Sequence, residues 1–101
     1  MLLYNITTKV DNIISEEWLQ WQREIHIPEI MATGLFYEHR IYRLLEQDDS
    51  EGKTYITQFF TGSEKDYEEY LLHFAPGIRE KAIVKWGDQI VAFRTLLENV
   101  Q

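Results

Sequence analysis

The chain contains no cysteine, which excludes disulfides, a thiolate nucleophile and thiolate metal ligands together and suits a reducing compartment. Proline is scarce at 2 residues, Pro28 and Pro76, so breaks in regular structure are confined to a few identifiable places. Positive charge is scarce too. Ten Lys and Arg against 17 Asp and Glu give a formal charge of -7, which repels a polyanion such as nucleic acid. No apolar run approaches the roughly 20 residues of a membrane span, and the opening MLLYNITTKV lacks the basic flank and apolar length of a signal sequence. These absences lead us to expect a cytoplasmic protein with neither nucleic acid nor membrane as partner. Its 101 residues fit one domain, 1–101, able to bury roughly two-thirds of the surface of the unfolded chain.

What is present is an alternation of two element types. Leu2 to Val10 is rich in apolar and β-branched residues and predicts a strand. Asp11 and Asn12 end it, Ser15 is placed to cap a helix, and Glu16 and Glu17 complement the positive helix start. Trp18, Trp21 and Ile25 then recur at helical spacing on one face, up to a kink or break near Pro28 and an end at Gly34. Leu35 to Leu45 and Thr54 to Thr61 predict a hairpin joined by EQDDSEG. Ser63 and Asp66 resemble a capping box, followed by the stripe Tyr67, Tyr70, Leu71 and Phe74. The stripe continues past Pro76 and Gly77 through Ile78, Ala82 and Trp86, which predicts two helical pieces with a bend, closed by Gly87. Ile90 to Leu97 is the last strand.

The order β-α-β-β-α-β folds most simply as an α+β, ferredoxin-like domain: a four-stranded antiparallel sheet with both helices on one face. The other face is then uncovered. Ile90, Val91, Ala92 and Phe93 are consecutive, and Tyr55, Ile56, Phe59 and Phe60 also send large groups both ways. A second copy packed sheet to sheet would cover that surface, so a homodimer forming a dimeric α+β barrel is expected.

The segments HIPEIMATGLF (His26 to Phe36), YRLLEQDDSEGKTY (Tyr42 to Tyr55) and VAFRTLLE (Val91 to Glu98) resemble a small bacterial domain-of-unknown-function family, DUF4286. The resemblance spans nearly the whole chain and implies a ferredoxin-like, dimeric α+β barrel. It transfers no catalytic role to any residue. The wider superfamily that it implies includes cofactor-independent monooxygenases, haem-degrading enzymes and small isomerases.

Among residues that could carry chemistry, His26 comes first, because His-x-Pro-Glu sets an imidazole and the Glu29 carboxylate near a helix break. The competing reading packs His26 beside Leu19 and Ile30, with its nitrogens bonded to backbone near Pro28. His73, beside Phe74, is a weaker candidate with a helix-end hydrogen bond as its structural explanation. Arg43, Gln58 and Arg94 interrupt apolar strands and are the best pointers to a ligand pocket in the barrel, since a buried guanidinium needs a carboxylate, water or a ligand anion. Pairing with Glu46, Glu38 or Glu98 would make the two arginines structural instead. Trp18, Trp21 and Trp86 are expected to cover the sheet rather than line a ligand site. Asp48, Asp49 and Glu51 lack the spacing of a calcium loop, and His26, His39 and His73 lack metal-ligand spacing, so no metal is expected. No Gly-rich phosphate cradle occurs, and no cofactor is expected.

Two functions follow. The favoured one is a homodimeric module that binds a small molecule or another protein without catalysis. The alternative is a cofactor-independent enzyme, of monooxygenase or isomerase type, acting on a small aromatic or carbonyl compound. There His26 would be acid or base, Arg43 or Arg94 would hold an anion, and Gln58 would orient it.

Overall fold

The computed structural model describes all residues, Met1–Gln101. Four strands, β1 (Leu2–Val10), β2 (Glu38–Arg43), β3 (Lys53–Thr61) and β4 (Ile90–Glu98), form one sheet in the order β2-β3-β1-β4, with every neighbouring pair antiparallel. Two helical crossovers connect them. The first joins α1 (Ser15–Trp21) to α2 (Ile27–Met31) through a π-turn at Gln22–His26; the second comprises α3 (Glu64–His73) and α4 (Ala75–Trp86). This is the ferredoxin-like arrangement.

Strand alternation decides what each face carries. Tyr4, Thr8 and Val10 of β1, with Tyr55, Thr57, Phe59 and Thr61 of β3, are buried beneath the helices. Tyr4 and Phe59 form a core with Ile27, Ile30, Phe36, Tyr70 and Ile78, drawn from both crossovers, so both lie on one face. A second core joins Val10 and Tyr55 to Trp18, Trp21 and Trp86. The opposite face receives Leu3, Ile56, Phe60, Val91, Phe93 and Leu97 through the same registers. Phe93 there is 67 % exposed and Leu97 46 %. Nothing in the chain covers this face.

The prolines produce two different interruptions. Before Pro28 the Ile27 amide donates to the Gln22 carbonyl, five residues back, so one extra residue enters the helix. The expected Trp18, Trp21, Ile25 stripe is corrected accordingly: Trp18 and Trp21 are buried, but Ile25 is 53 % exposed and Gln22 is buried instead. In the second crossover the helix breaks at Phe74 (φ -121°, ψ -42°), and Pro76 falls in the first turn of α4, where the absent N–H is not needed. The chain leaves α4 through Gly87 at φ 55°, a conformation costly for other residues.

Two local expectations differ in the outcome. Ser63 caps α3 by accepting from the Asp66 amide at 3.2 Å. Ser15 does not cap α1; its hydroxyl donates back to the Asn12 carbonyl at 3.3 Å, and Ile14 occupies the cap position. β2 is shorter than Leu35 to Leu45, although the ladder continues at both ends through Tyr37 N–H to the Phe60 carbonyl (2.9 Å) and Leu44 N–H to the Thr54 carbonyl (2.8 Å).

Candidate functional site

The extra residue of the π-turn sets His26 facing inward, where a regular helix would have turned Ile25. Its ring stacks on Trp21 at 4.5 Å between centroids, with the planes 25° apart. Burial removes hydration that the imidazolium would need, and the charges of Arg94 and Lys81 oppose protonation as well. Glu29, a larger influence than either of those charges, favours protonation, but burial outweighs it and leaves the His26 pKa lowered to about 4. His26 is therefore a neutral imidazole at physiological pH, with one nitrogen able to donate a hydrogen bond and the other able to accept one.

His26 borders a cavity of about 40 Å³ between the helices and the sheet. Its polar lining comes from Thr8, Gln22, His26, Thr57 and Arg94. The apolar wall comprises Ile6, Trp18, Phe59, Ala82, Ile90 and Ala92. Every strand residue in this set belongs to the helix-facing register, and Arg94 stands opposite Ile6 on the outermost strand. Arg94 is solvent-exposed and enters none of the ion pairs within the chain, so it marks the open side of the cavity. Trp18 is only 1 % exposed, and its Nε1 has no hydrogen-bond acceptor. An unpaired buried donor of this kind costs about 1–3 kcal/mol.

The structure brings His26 and Arg94 to one site and separates the remaining candidates from it. Glu29 is ion-paired with Lys81 at 2.9 Å and makes no hydrogen bond to His26. Arg43 lies at the β2 edge and binds Asp49 at 2.6 Å, a partner outside the expected Glu46, Glu38 and Glu98. Gln58 stands opposite Asn5 on the uncovered face and donates to its Oδ1 at 3.4 Å. Arg43, Gln58 and Arg94 thus do not converge, and the cavity lies under the helices rather than on the face that a barrel would enclose. His73 is exposed and borders a separate, shallow groove with Phe74, Gly77 and Glu29. Among the residues at the cavity that the sequence reading passed over, Thr8 and Thr57 carried a signal. Each is a polar residue whose flanking inward positions on the strand are aromatic or aliphatic, Ile6 and Val10 around Thr8 and Tyr55 and Phe59 around Thr57.

No helix is long and apolar enough to cross a membrane. No curated protein matches the chain by sequence. Solved structures are similar in fold. A dimeric ferredoxin-like protein from an uncultured marine organism superposes with a TM-score of 0.74 at 7 % identity, over 99 % of this chain and 95 % of that one. A dimeric ferredoxin-like protein of unknown function from Jannaschia sp. CCS1 gives 0.60 at 15 % identity, covering 98 % of this chain and all of its own. SnoaB, a cofactor-independent oxygenase from Streptomyces nogalater, gives 0.65 at 12 % identity over 99 % of this chain and 94 % of that one. At such identities the likeness shows the fold alone. Residues 1–100 match the family model described as Domain of unknown function (DUF4286), and the chain belongs to that family.

Proposed function

We propose that the protein is a homodimeric, single-domain small-molecule-binding module of the cytoplasm, and that its ligand enters the cavity between the helices and the sheet. The observation that carries this reading is the cavity itself, where Trp18, whose buried Nε1 is unpaired, and the buried Gln22 share one lining with an unneutralised Arg94. Polar groups buried without partners inside a fold are expensive, and a ligand that bonds to them is a physical reason for keeping them. The homodimer rests on the uncovered sheet face with Val91, Phe93 and Leu97, and on the dimeric state named for two of the similar structures. The lack of cysteine supports the cytoplasmic assignment.

A second reading, a cofactor-independent enzyme acting on a small aromatic or carbonyl compound, draws on one specific feature. His26 is neutral at pH 7 and has an accepting nitrogen near the cavity, as a general base requires. The fold shared with SnoaB is an analogy and assigns no reaction.

Native mass spectrometry of gently purified protein and of an Ala92→Leu variant tests the reading. A dimer carrying a reproducible extra mass, lost in the variant because the larger side chain fills the cavity, is the expected result. A monomer removes the homodimer, and an adduct undiminished in the variant removes the cavity as its site.

A further inference from the structure

The donors and acceptors around the cavity are unequal. Arg94 and Trp18 can only donate hydrogen bonds, whereas the hydroxyls of Thr8 and Thr57, the Gln22 amide and the neutral His26 can do both. No Asp or Glu lines the cavity, so no group there is an acceptor only. Glu29, the carboxylate whose charge acts on His26, is already bonded to Lys81. In a chain of net charge -7, Arg94 is thus a cation at the cavity with no ion pair of its own.

We propose that the cavity binds a small organic carboxylate, with Arg94 supplying the countercharge and the Trp18 indole donating to the ligand from within. This rests on the reading that the cavity is a ligand site and specifies the ligand's chemistry. Carboxylate oxygens accept only, which complements a lining that holds donor-only groups. A planar guanidinium matches a carboxylate through two parallel bonds. A single cation balances a monoanion, which favours a carboxylate over a doubly charged phosphate. The volume of about 40 Å³ admits roughly three water-sized units, enough for a carboxyl group and its neighbouring carbon. Ile6, Phe59 and Ile90 then offer apolar contact to that carbon, and anything larger extends past Arg94 on the exposed edge.

The test is a titration at pH 7 and constant ionic strength, following the indole Nε1–H signal of Trp18 by nitrogen–proton NMR, with Trp18→Phe used to assign it. Sodium acetate is the probe, acetamide its neutral counterpart of similar shape, and sodium chloride the salt that it replaces. Acetate is expected to shift the signal saturably while acetamide leaves it in place. Arg94→Gln is expected to weaken acetate binding by about tenfold or more, and Arg94→Lys by less, because it keeps the charge and loses the fork. Arg94 is exposed, so neither variant threatens the core. Equal shifts from acetate and acetamide would overturn the carboxylate while leaving a ligand site in the cavity. Acetate affinity unchanged in Arg94→Gln would overturn the role of Arg94. No shift from either probe would overturn the ligand site together with its chemistry.

Discussion

The two helical crossovers each contain one proline, and the backbone accommodates it differently in each. In the first, the helix stays continuous and widens by one residue at Gln22–His26, rotating everything beyond it by one position. In the second, the helix stops at Phe74 and restarts, with Pro76 in the new first turn. The second solution preserves most of the apolar stripe, for Tyr70, Ile78 and Trp86 are all buried, while the expected stripe member Phe74, at the break itself, is 37 % exposed. The first changes which residues face the sheet, trading Ile25 for Gln22 and His26. One crossover is therefore a cover, and the other a cover with polar groups set into it. The difference arises from where the extra residue goes and not from the proline alone.

The most severe way to break this comparison is to remove a residue from each crossover. Deletion of Glu80, an exposed residue of the regular helix α4, turns Ala82 and Trp86 away from the sheet by about 100°. Loss of the Trp86 packing is expected to cost about 3–5 kcal/mol and to abolish cooperative urea unfolding. Deletion of Ile25 removes the inserted residue and returns a regular helix with His26 still inward, provided that Pro28→Ala restores the missing donor. That double variant is expected to unfold cooperatively. Cooperative unfolding of both deletions, or of neither, would contradict the distinction.

His26 sharpens the same contrast through pH. Its folded pKa of about 4 lies below the unfolded value of 6.5. Above pH 6.5 both states are neutral and the group contributes fully to stability. Between pH 6.5 and 4 only the unfolded chain takes up the proton, and stability falls by roughly 3 kcal/mol, at about 1.4 kcal/mol per unit. His26→Gln is expected to lack this component, so its melting temperature should fall less than that of the parent from pH 7 to pH 4. Parallel profiles would show that the imidazole is not held neutral.

Smaller effects separate the ends of the crossovers. Gly87→Ala places a side chain at φ 55° and ψ -130°, with no atom near the added Cβ, so its expected cost of about 1–3 kcal/mol comes from the backbone alone. Pro76→Ala alters a position whose N–H has no helical partner, and its unfolding free energy from urea denaturation is expected to stay within about 0.5 kcal/mol of the parent.

The order of elements could be read from the sequence because its signals are local: the β-branched run Leu2 to Val10, the Ser63 cap and the glycines Gly34 and Gly87. The site was legible only in part. His26 stands out in the sequence for its place near Pro28, and Arg94 because a charge interrupts an apolar strand; both border the cavity. Yet an i to i+5 hydrogen bond leaves no periodic trace of its own, so helical spacing alone puts Ile25 on the wrong side. Gln58 and Arg94 sit on similar apolar strands, and only the registers to β1 reveal that they face opposite sides of the sheet. Asp49 shows in the sequence only as part of an acidic turn without calcium-loop spacing, whereas loop closure brings it onto Arg43. Neither the registers nor the loop closure can be recovered from neighbours along the chain.

The stacking of Trp21 on His26 gives the molecule an optical readout. A protonated imidazole quenches an adjacent indole far more than a neutral one. Tryptophan emission should therefore dim as the solution is acidified through pH 4 and recover on return to neutrality, while His26→Gln stays bright. A bound anion that favours the imidazolium would move the dimming toward neutral pH, so occupancy of the cavity could be followed without any attached dye.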